Sequence, residues 1–475
     1  MTDMKYKIKA NSSLLLIILL LFSCTRVANP VPDRENRSSL ATVLERGVLK
    51  VVTDFNSTSY FIYRGQPMGY QYEMLQELAD HLGVRLEVTV NNDLDAKFKM
   101  LEDGEVDLIA VNLTVTKDRK SRMDFTVPHT QTRQVLVQRK PDNWKNLSRQ
   151  ALEDSMLRNQ LDLGGKDVYV QRNSSYAERL YNLSDEIGDT IYVHEVDEAV
   201  EKLVEMVAGG EIEYTVCDEI VGEVSETYFD NIDIATPVSF YQNLAWAVNK
   251  GTDDLRITID NWLTDFKKTS KYAVIYRKYF TNKRTAELID SDYFANISGK
   301  ISPYDALIKE FSDQIGWDWR LVASMIYQES RFNPQAKSWA GAFGLMQLMP
   351  TTGERFGVGP KSPLKMQIRA GLMYVKWLND RLIDIKDPEE RQKFILAGYN
   401  VGLGHILDAR ALAAKNGKDP DIWDNNVADF LLLKSDPEYY TDPVVKYGYC
   451  RGIETYQYVA DIMDRYNHYK NLVVE

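Results

Sequence analysis

The chain has 475 residues, about three times the ~150-residue length of one domain, so it should fold as two or three units, each able to bury a core. Its 44% apolar and 27% charged residues exclude wholesale disorder, a collagen-like or coiled-coil rod and a multi-span membrane protein. Its net charge of -12 makes it a poor general binder of nucleic acid or anionic lipid headgroups.

Lys5, Lys7 and Lys9 precede an apolar run from Leu14 to Phe22. That is the positive start and short apolar stretch of a signal peptide, expected over residues 1–23 and too short for a comfortable membrane span. The run ends Leu21-Phe22-Ser23-Cys24, which resembles a bacterial lipobox. The resemblance implies that Cys24 is lipidated, becomes the mature N-terminus and anchors the chain to a membrane. Thr25, where enteric sorting rules would place Asp for inner-membrane retention, favours the periplasmic face of the outer membrane. Residues 24–43, with Asn29-Pro30-Val31-Pro32, read as a tether. Cys217 and Cys450 remain as thiols; an oxidising compartment permits a bridge, but Cys217 in Tyr214-Thr215-Val216 reads as a small buried residue. Five histidines without metal-ligand spacing predict no metal and no cofactor.

From 44 to 284 strand-like and helix-like segments alternate. Val48 to Val52 predicts a strand, Tyr72 to Leu82 a helix with Met74, Leu75, Leu78 and Leu82 on one stripe, and Leu86 to Val90 a second strand. Phe98 to Leu101 belongs to a helix stopped by Gly104, and Val106 to Val111 is a buried strand. This order predicts a parallel sheet covered by helices, and the length suits two such lobes, the second over about 134–234. A linker is expected at 285–300, after which strand signals vanish and 301–475 reads as all-helical. Ser302-Pro303, Asp387-Pro388 and Thr441-Asp442-Pro443 each predict a capped helix start, the last opening a long helix towards Tyr469.

Gly69-Tyr70-Gln71-Tyr72-Glu73, Asp107-Leu108-Ile109-Ala110-Val111-Asn112-Leu113-Thr114 with Arg119, and Leu244-Ala245-Trp246-Ala247-Val248 occur in an order that resembles family 3 amino-acid-binding proteins. The resemblance implies a two-lobed, periplasmic-binding-protein-like α/β domain. It places Asn112, Thr114 and Ser174 at the ligand, Arg119 on its α-carboxylate, Asp218 on its α-ammonium, and Tyr60 or Phe61 as an apolar wall. The sequence departs from the family pattern at Ser57-Thr58-Ser59-Tyr60-Phe61, at Gln71 and at Asn173-Ser174-Ser175, so a stem peptide fits no worse than a free amino acid.

Residues 329–350 (Glu-Ser-Arg-Phe-Asn-Pro through Gly-Leu-Met-Gln-Leu-Met-Pro), Ala397-Gly398-Tyr399-Asn400-Val401-Gly402 and Glu454-Thr455-Tyr456-Gln457-Tyr458-Val459 resemble, in order, three signatures of soluble lytic transglycosylase domains. The resemblance implies an all-α, goose-lysozyme-like fold that cleaves peptidoglycan glycan strands without water, using Glu329 alone as acid and base. It further implies that Ser338, Gly344, Met346, Gln347, Tyr399 and Asn400 line the sugar cleft, with Glu454 and Tyr458 facing it. Tyr399 would bond Glu329 or the substrate N-acetyl group, and Trp339 and Phe343 would stack on sugars or fill the core. Helical phase supports Glu329 independently. Asp318 can cap a helix to Ser330, with Val322, Met325, Ile326 and Glu329 on one face, so the carboxyl should be desolvated and protonated near neutrality. The rival readings are a hydrolase, which needs a second carboxylate such as Asp380 or Asp384, and a binding protein without activity.

Overall fold

The computed structural model describes residues 39–227, 229–280 and 300–471. The signal-peptide segment, Cys24, most of the tether and nearly all of the 285–300 linker lie outside the described residues.

The first domain opens with β1 (Val48–Thr53), β2 (Phe61–Tyr63), β3 (Gln66–Met68), β4 (Arg85–Val90), β5 (Leu108–Thr114), β6 (Met123–Phe125) and β7 (Thr130–Thr132). It continues with β8 (Gln134–Arg139), β9 (Asp167–Gln171), β10 (Tyr192–Val196), β11 (Tyr214–Asp218), β12 (Ile232–Pro237) and β13 (Gln242–Asn249). One sheet has the order β4-β1-β5-β13-β6, with β7 on β13; the other has β10-β9-β11-β8-β12. The expected parallel pairs β1–β4 and β1–β5 form, while β13 returns antiparallel to β5. Val51, Val52, Leu108 and Ile109 are fully buried, as strands covered on both faces require. The helix Tyr70–Leu82 buries Met74, Leu75 and Leu78 against this sheet and ends on Gly83. The chain passes between the two sheets only at β7–β8 and β12–β13, which leaves a cleft between two lobes.

After residue 300 the described structure is helical. The helix Trp319–Ser330 packs along the last helix, Gly452–Lys470. Between them Ser324 Oγ donates to the Ile462 carbonyl (2.7 Å), Arg465 donates to Gln328 (3.1 Å), and Tyr466 donates to Asp318 (2.9 Å).

Two predicted helix starts are displaced. The helix expected from Ser302-Pro303 begins at Asp305, because the Asp305 carboxylate turns back onto the Ile301 and Ser302 N–H groups and closes a turn there. The last helix begins at Gly452 rather than near Asp442. Asp442 caps only a short turn at Val444, and the next N–H groups, of Lys446 and Tyr447, are taken by the buried Asp408 carboxylate (both 2.9 Å) instead of by a helix. Cys217 and Cys450 are both buried and free.

The two domains share one apolar cluster, in which Tyr60, Ile62, Tyr72 and Val88 pack with Tyr327, Phe332 and Tyr469. The tip of the β2–β3 hairpin enters it. Gly65, at φ +80°, donates space as well as conformation: a Cβ there would stand 2.6 Å from Tyr469 Oη and 2.7 Å from the Tyr327 ring. Tyr469 Oη donates to the Gly65 carbonyl (2.8 Å) and Asn471 to that of Val88 (2.9 Å).

Candidate active site and ligand cavity

Glu329 is placed by the helix that carries it. Asp318 caps this helix, accepting from the Arg320 N–H, and Val322, Met325 and Ile326 on the same face are fully buried. The helix stops at Ser330, after which Arg331 (φ 51°) and Phe332 (φ 60°) both take left-handed conformations that non-glycine residues rarely hold. Such strain persists only where packing enforces it, and Phe332 is packed against Tyr327.

The Glu329 carboxyl receives a 2.5 Å hydrogen bond from Tyr458 Oη on the last helix. Burial pushes its pKa up to about 7, and the Tyr458 bond is what opposes that rise. Among the described residues, none of the other carboxylates contributes to that shift. Asp384 is engaged with Arg410 (2.8 Å), and Asp380 is exposed. Burial also raises the Tyr458 and Tyr399 hydroxyls well above their ordinary range, with the Glu329 charge adding to both, so each stays a donor.

The other predicted glycan residues divide by position. Tyr399 does not bond Glu329: its hydroxyl donates to the Met346 carbonyl (2.7 Å), pinning the 336–348 loop to the helix Pro388–Val401. Gln347, at φ 45°, donates to the Ala336 (3.0 Å) and Gly344 (2.8 Å) carbonyls and so closes that loop on itself. Ser338 Oγ accepts from the Ala342 N–H (3.0 Å). Gly344, at φ +75°, has the Gln367 amide oxygen 1.9 Å from where a Cβ would be. Met346 is buried, Phe343 fills the core and Trp339 is fully exposed. Asn400 accepts from Thr455 (2.7 Å), a partner the sequence reading passed over although it sits beside Glu454 in the third signature. Glu454 itself does not join Tyr458 at the carboxyl; it is 66% exposed and paired with Arg451 (3.0 Å).

Between the lobes of the first domain lies a cavity of about 660 Å³, lined by Asn112, Arg119, Ser174 and Asp218 among others. Arg119 is buried and donates to the carbonyls of Thr114 (3.0 Å) and, across the cleft, Asn173 (3.4 Å). Thr114 sits behind the wall, its hydroxyl 3.2 Å from Ser175 of the other lobe. Asn112 accepts from Gln71 (2.9 Å), whose other end accepts from Trp246 (2.7 Å), which accounts for an amide at that position. Ser174 caps the helix that follows it. Asp218 is 2% exposed, one of its carboxylate oxygens has no hydrogen-bond partner, and burial lifts it to about 7 against a bond from Tyr176 and the charge of Arg119. Tyr60 is not part of this cavity. It is turned into the domain interface, 2.9 Å from His468 Nδ1, and Phe55 lines the cavity instead. Glu201, which bonds the Ser57 N–H across the cleft (3.0 Å), also lines it and was missed; its partner is 144 positions away and no local pattern joins them.

The model for bacterial extracellular solute-binding proteins, family 3, matches residues 49–282, and that for the transglycosylase SLT domain matches residues 306–422. An ancestral arginine-binding protein bound to arginine aligns with 50% of this chain and 99% of its own at a TM-score of 0.42 and 24% identity. A protein named membrane-bound lytic murein transglycosylase F from Desulfosudis oleivorans is 35% identical over 91% of this chain and 92% of its own length. One of the same name from Idiomarina loihiensis is 30% identical over 98% of both. The fold and the matched domains define a lytic transglycosylase carrying a solute-binding domain. More narrowly, the chain belongs to the membrane-bound lytic murein transglycosylase F family.

Proposed function

We propose that this enzyme cleaves the β-1,4 bond between MurNAc and GlcNAc in peptidoglycan with Glu329 as its one acid and base. The protonated carboxyl gives its proton to the glycosidic oxygen, and the bond from that oxygen to C1 of MurNAc breaks. The MurNAc N-acetyl oxygen stabilises C1. Glu329, now a carboxylate, takes the proton of the C6 hydroxyl, whose oxygen closes onto C1. Glu329 ends protonated as it began, the product has a 1,6-anhydro end, and no water enters. The observation that carries this is the carboxyl itself: burial holds it near pKa 7, where it can both give and take a proton, with a tyrosine rather than a second acid beside it. The 336–348 loop, pinned by Tyr399 and Gln347, would wall the sugar cleft with Ser338, Gly344 and Met346, and Asn400 would face it from the helix 388–401. Glu329→Gln should lower the release of muropeptides from purified sacculi by at least about 10²-fold, the low end for a lost general acid. Unchanged release would remove Glu329 from the mechanism.

The first domain, in the same reading, senses a wall-derived peptide or amino acid and regulates cleavage. It is supported by the cavity between the lobes, where one buried Asp218 oxygen has no hydrogen-bond partner, and by the hairpin tip that packs on Tyr327 and Phe332, two and three positions from Glu329. A ligand regulates only if it favours one global state over another. A peptide fraction from digested wall should therefore change the rate of the parent enzyme and not that of Asp218→Asn; identical rates with and without the fraction would contradict sensing.

The protein is membrane-associated in the cell envelope, held by lipid on Cys24 at the periplasmic face of the outer membrane. Among the described residues no helix is long and apolar enough to cross a membrane. Cys24→Ala should abolish incorporation of labelled fatty acid; retained label would place the lipid elsewhere.

A further inference from the structure

The charges that line the first-domain cavity do not balance. Asp54 is paired with the fully buried Lys97, and Glu205 with Lys202 at the surface. That leaves one guanidinium, Arg119, against two carboxylates, Asp218 and Glu201. Arg119 spends its bonds on backbone carbonyls, and Asp218 keeps a buried oxygen without a partner. Glu201 stands at the start of the second-lobe helix Val200–Gly209 and reaches across the cleft to Ser57, accepting from its N–H and its hydroxyl. A neutral amide oxygen would serve those two donors as well. A carboxylate in that place carries a charge that those two donors do not need and that a ligand cation would meet. Burial raises the proton affinity of Glu201, the two Ser57 bonds oppose that rise, and the charge of Asp54 adds to it.

We infer that Glu201 is a specificity determinant that selects a ligand with a second cationic group: a dibasic amino acid, or a short peptide carrying one, with net charge +1. Its carboxylate would meet Arg119, its α-ammonium Asp218, and its side-chain cation Glu201. A volume of about 660 Å³ leaves room for a peptide of two or three residues. The inference rests on the reading of the first domain as a ligand-binding sensor and adds the charge of what it binds.

The test is calorimetry on the full-length protein in detergent with two probes, L-alanyl-L-lysine and its uncharged counterpart L-alanyl-L-norleucine. Muropeptide release is measured in parallel. The parent protein should bind the lysine peptide at least about tenfold more tightly, the equivalent of one well-placed charge pair. Glu201→Gln should bring the two affinities together by weakening the lysine peptide alone, while retained norleucine-peptide binding shows the cavity is intact. Equal affinities in the parent, a preference that survives Glu201→Gln, or no binding of either probe overturns the inference. A tenfold preference without any effect on cleavage upholds the charge selectivity and removes sensing; equal affinities with a clear effect on cleavage do the reverse.

Discussion

At the scale of residues, the chemistry depends on one proton shared between burial and a hydrogen bond. Glu329 rises from the ordinary 4.5 to about 7 because its carboxylate form is desolvated, and Tyr458 pulls the other way by donating to that form. Since the acid must be protonated to start the reaction, kcat/KM should fall as pH rises through about 7. Tyr458→Phe removes the bond that favours the carboxylate, so this basic limb should move to higher pH; a limb that stays or moves down would mean the tyrosine does not act on Glu329. The same shift has a cost in stability. A carboxyl whose folded pKa is raised contributes fully at low pH and loses that contribution as pH rises from 4.5 to about 7. Glu329→Gln should thus match the parent at pH 4 and exceed it at pH 8, by an upper bound on the order of 3 kcal/mol in chemical unfolding. Glu329 was legible in the sequence because its helical phase continues a buried stripe. The same phase decides less for Glu454. One turn from Tyr458 sets a shared face only approximately, and Arg451 on the preceding turn draws the carboxylate to solvent.

At the scale of elements, the helix Trp319–Ser330 is held at its start by two features of different visibility. Its start was readable: Asp318 precedes an apolar stripe, and it does cap the helix. Its tie to the last helix was not, since Tyr466 reaches Asp318 from 148 positions away. Asp318→Ala removes the cap, an ion pair with Arg320 and that tie together, and should cost about 1–2 kcal/mol, read as a fall in melting temperature with the product spectrum unchanged. No loss of stability would mean the cap is redundant. The misread start of the last helix has a clear cause. Thr441-Asp442-Pro443 has the local chemistry of a helix opening, but the buried Lys434–Asp408 pair captures the N–H groups that would have continued it. Tertiary competition for backbone donors is not written in a local window. The parallel β1–β4–β5 unit, by contrast, follows from alternation and order alone.

At the scale of the molecule, the account joins an enzyme to a binding domain through a shared apolar interface. The hairpin tip at Gly65 meets Tyr327, Phe332 and Tyr469, while Tyr60 and Tyr72 close around His468. The sequence announced both domains but not this contact; Tyr60 reads as a ligand wall when the first domain is considered by itself. The central claim remains chemical: a lone acid/base makes an anhydro end without water. Mass spectrometry of the soluble muropeptides released from purified sacculi by the full-length protein tests it most directly. Products lighter by one water than their hydrolytic counterparts, and resistant to reduction by borohydride, are the predicted result. Reducing ends would contradict the account, and would require a second carboxylate or a positioned water beside Glu329.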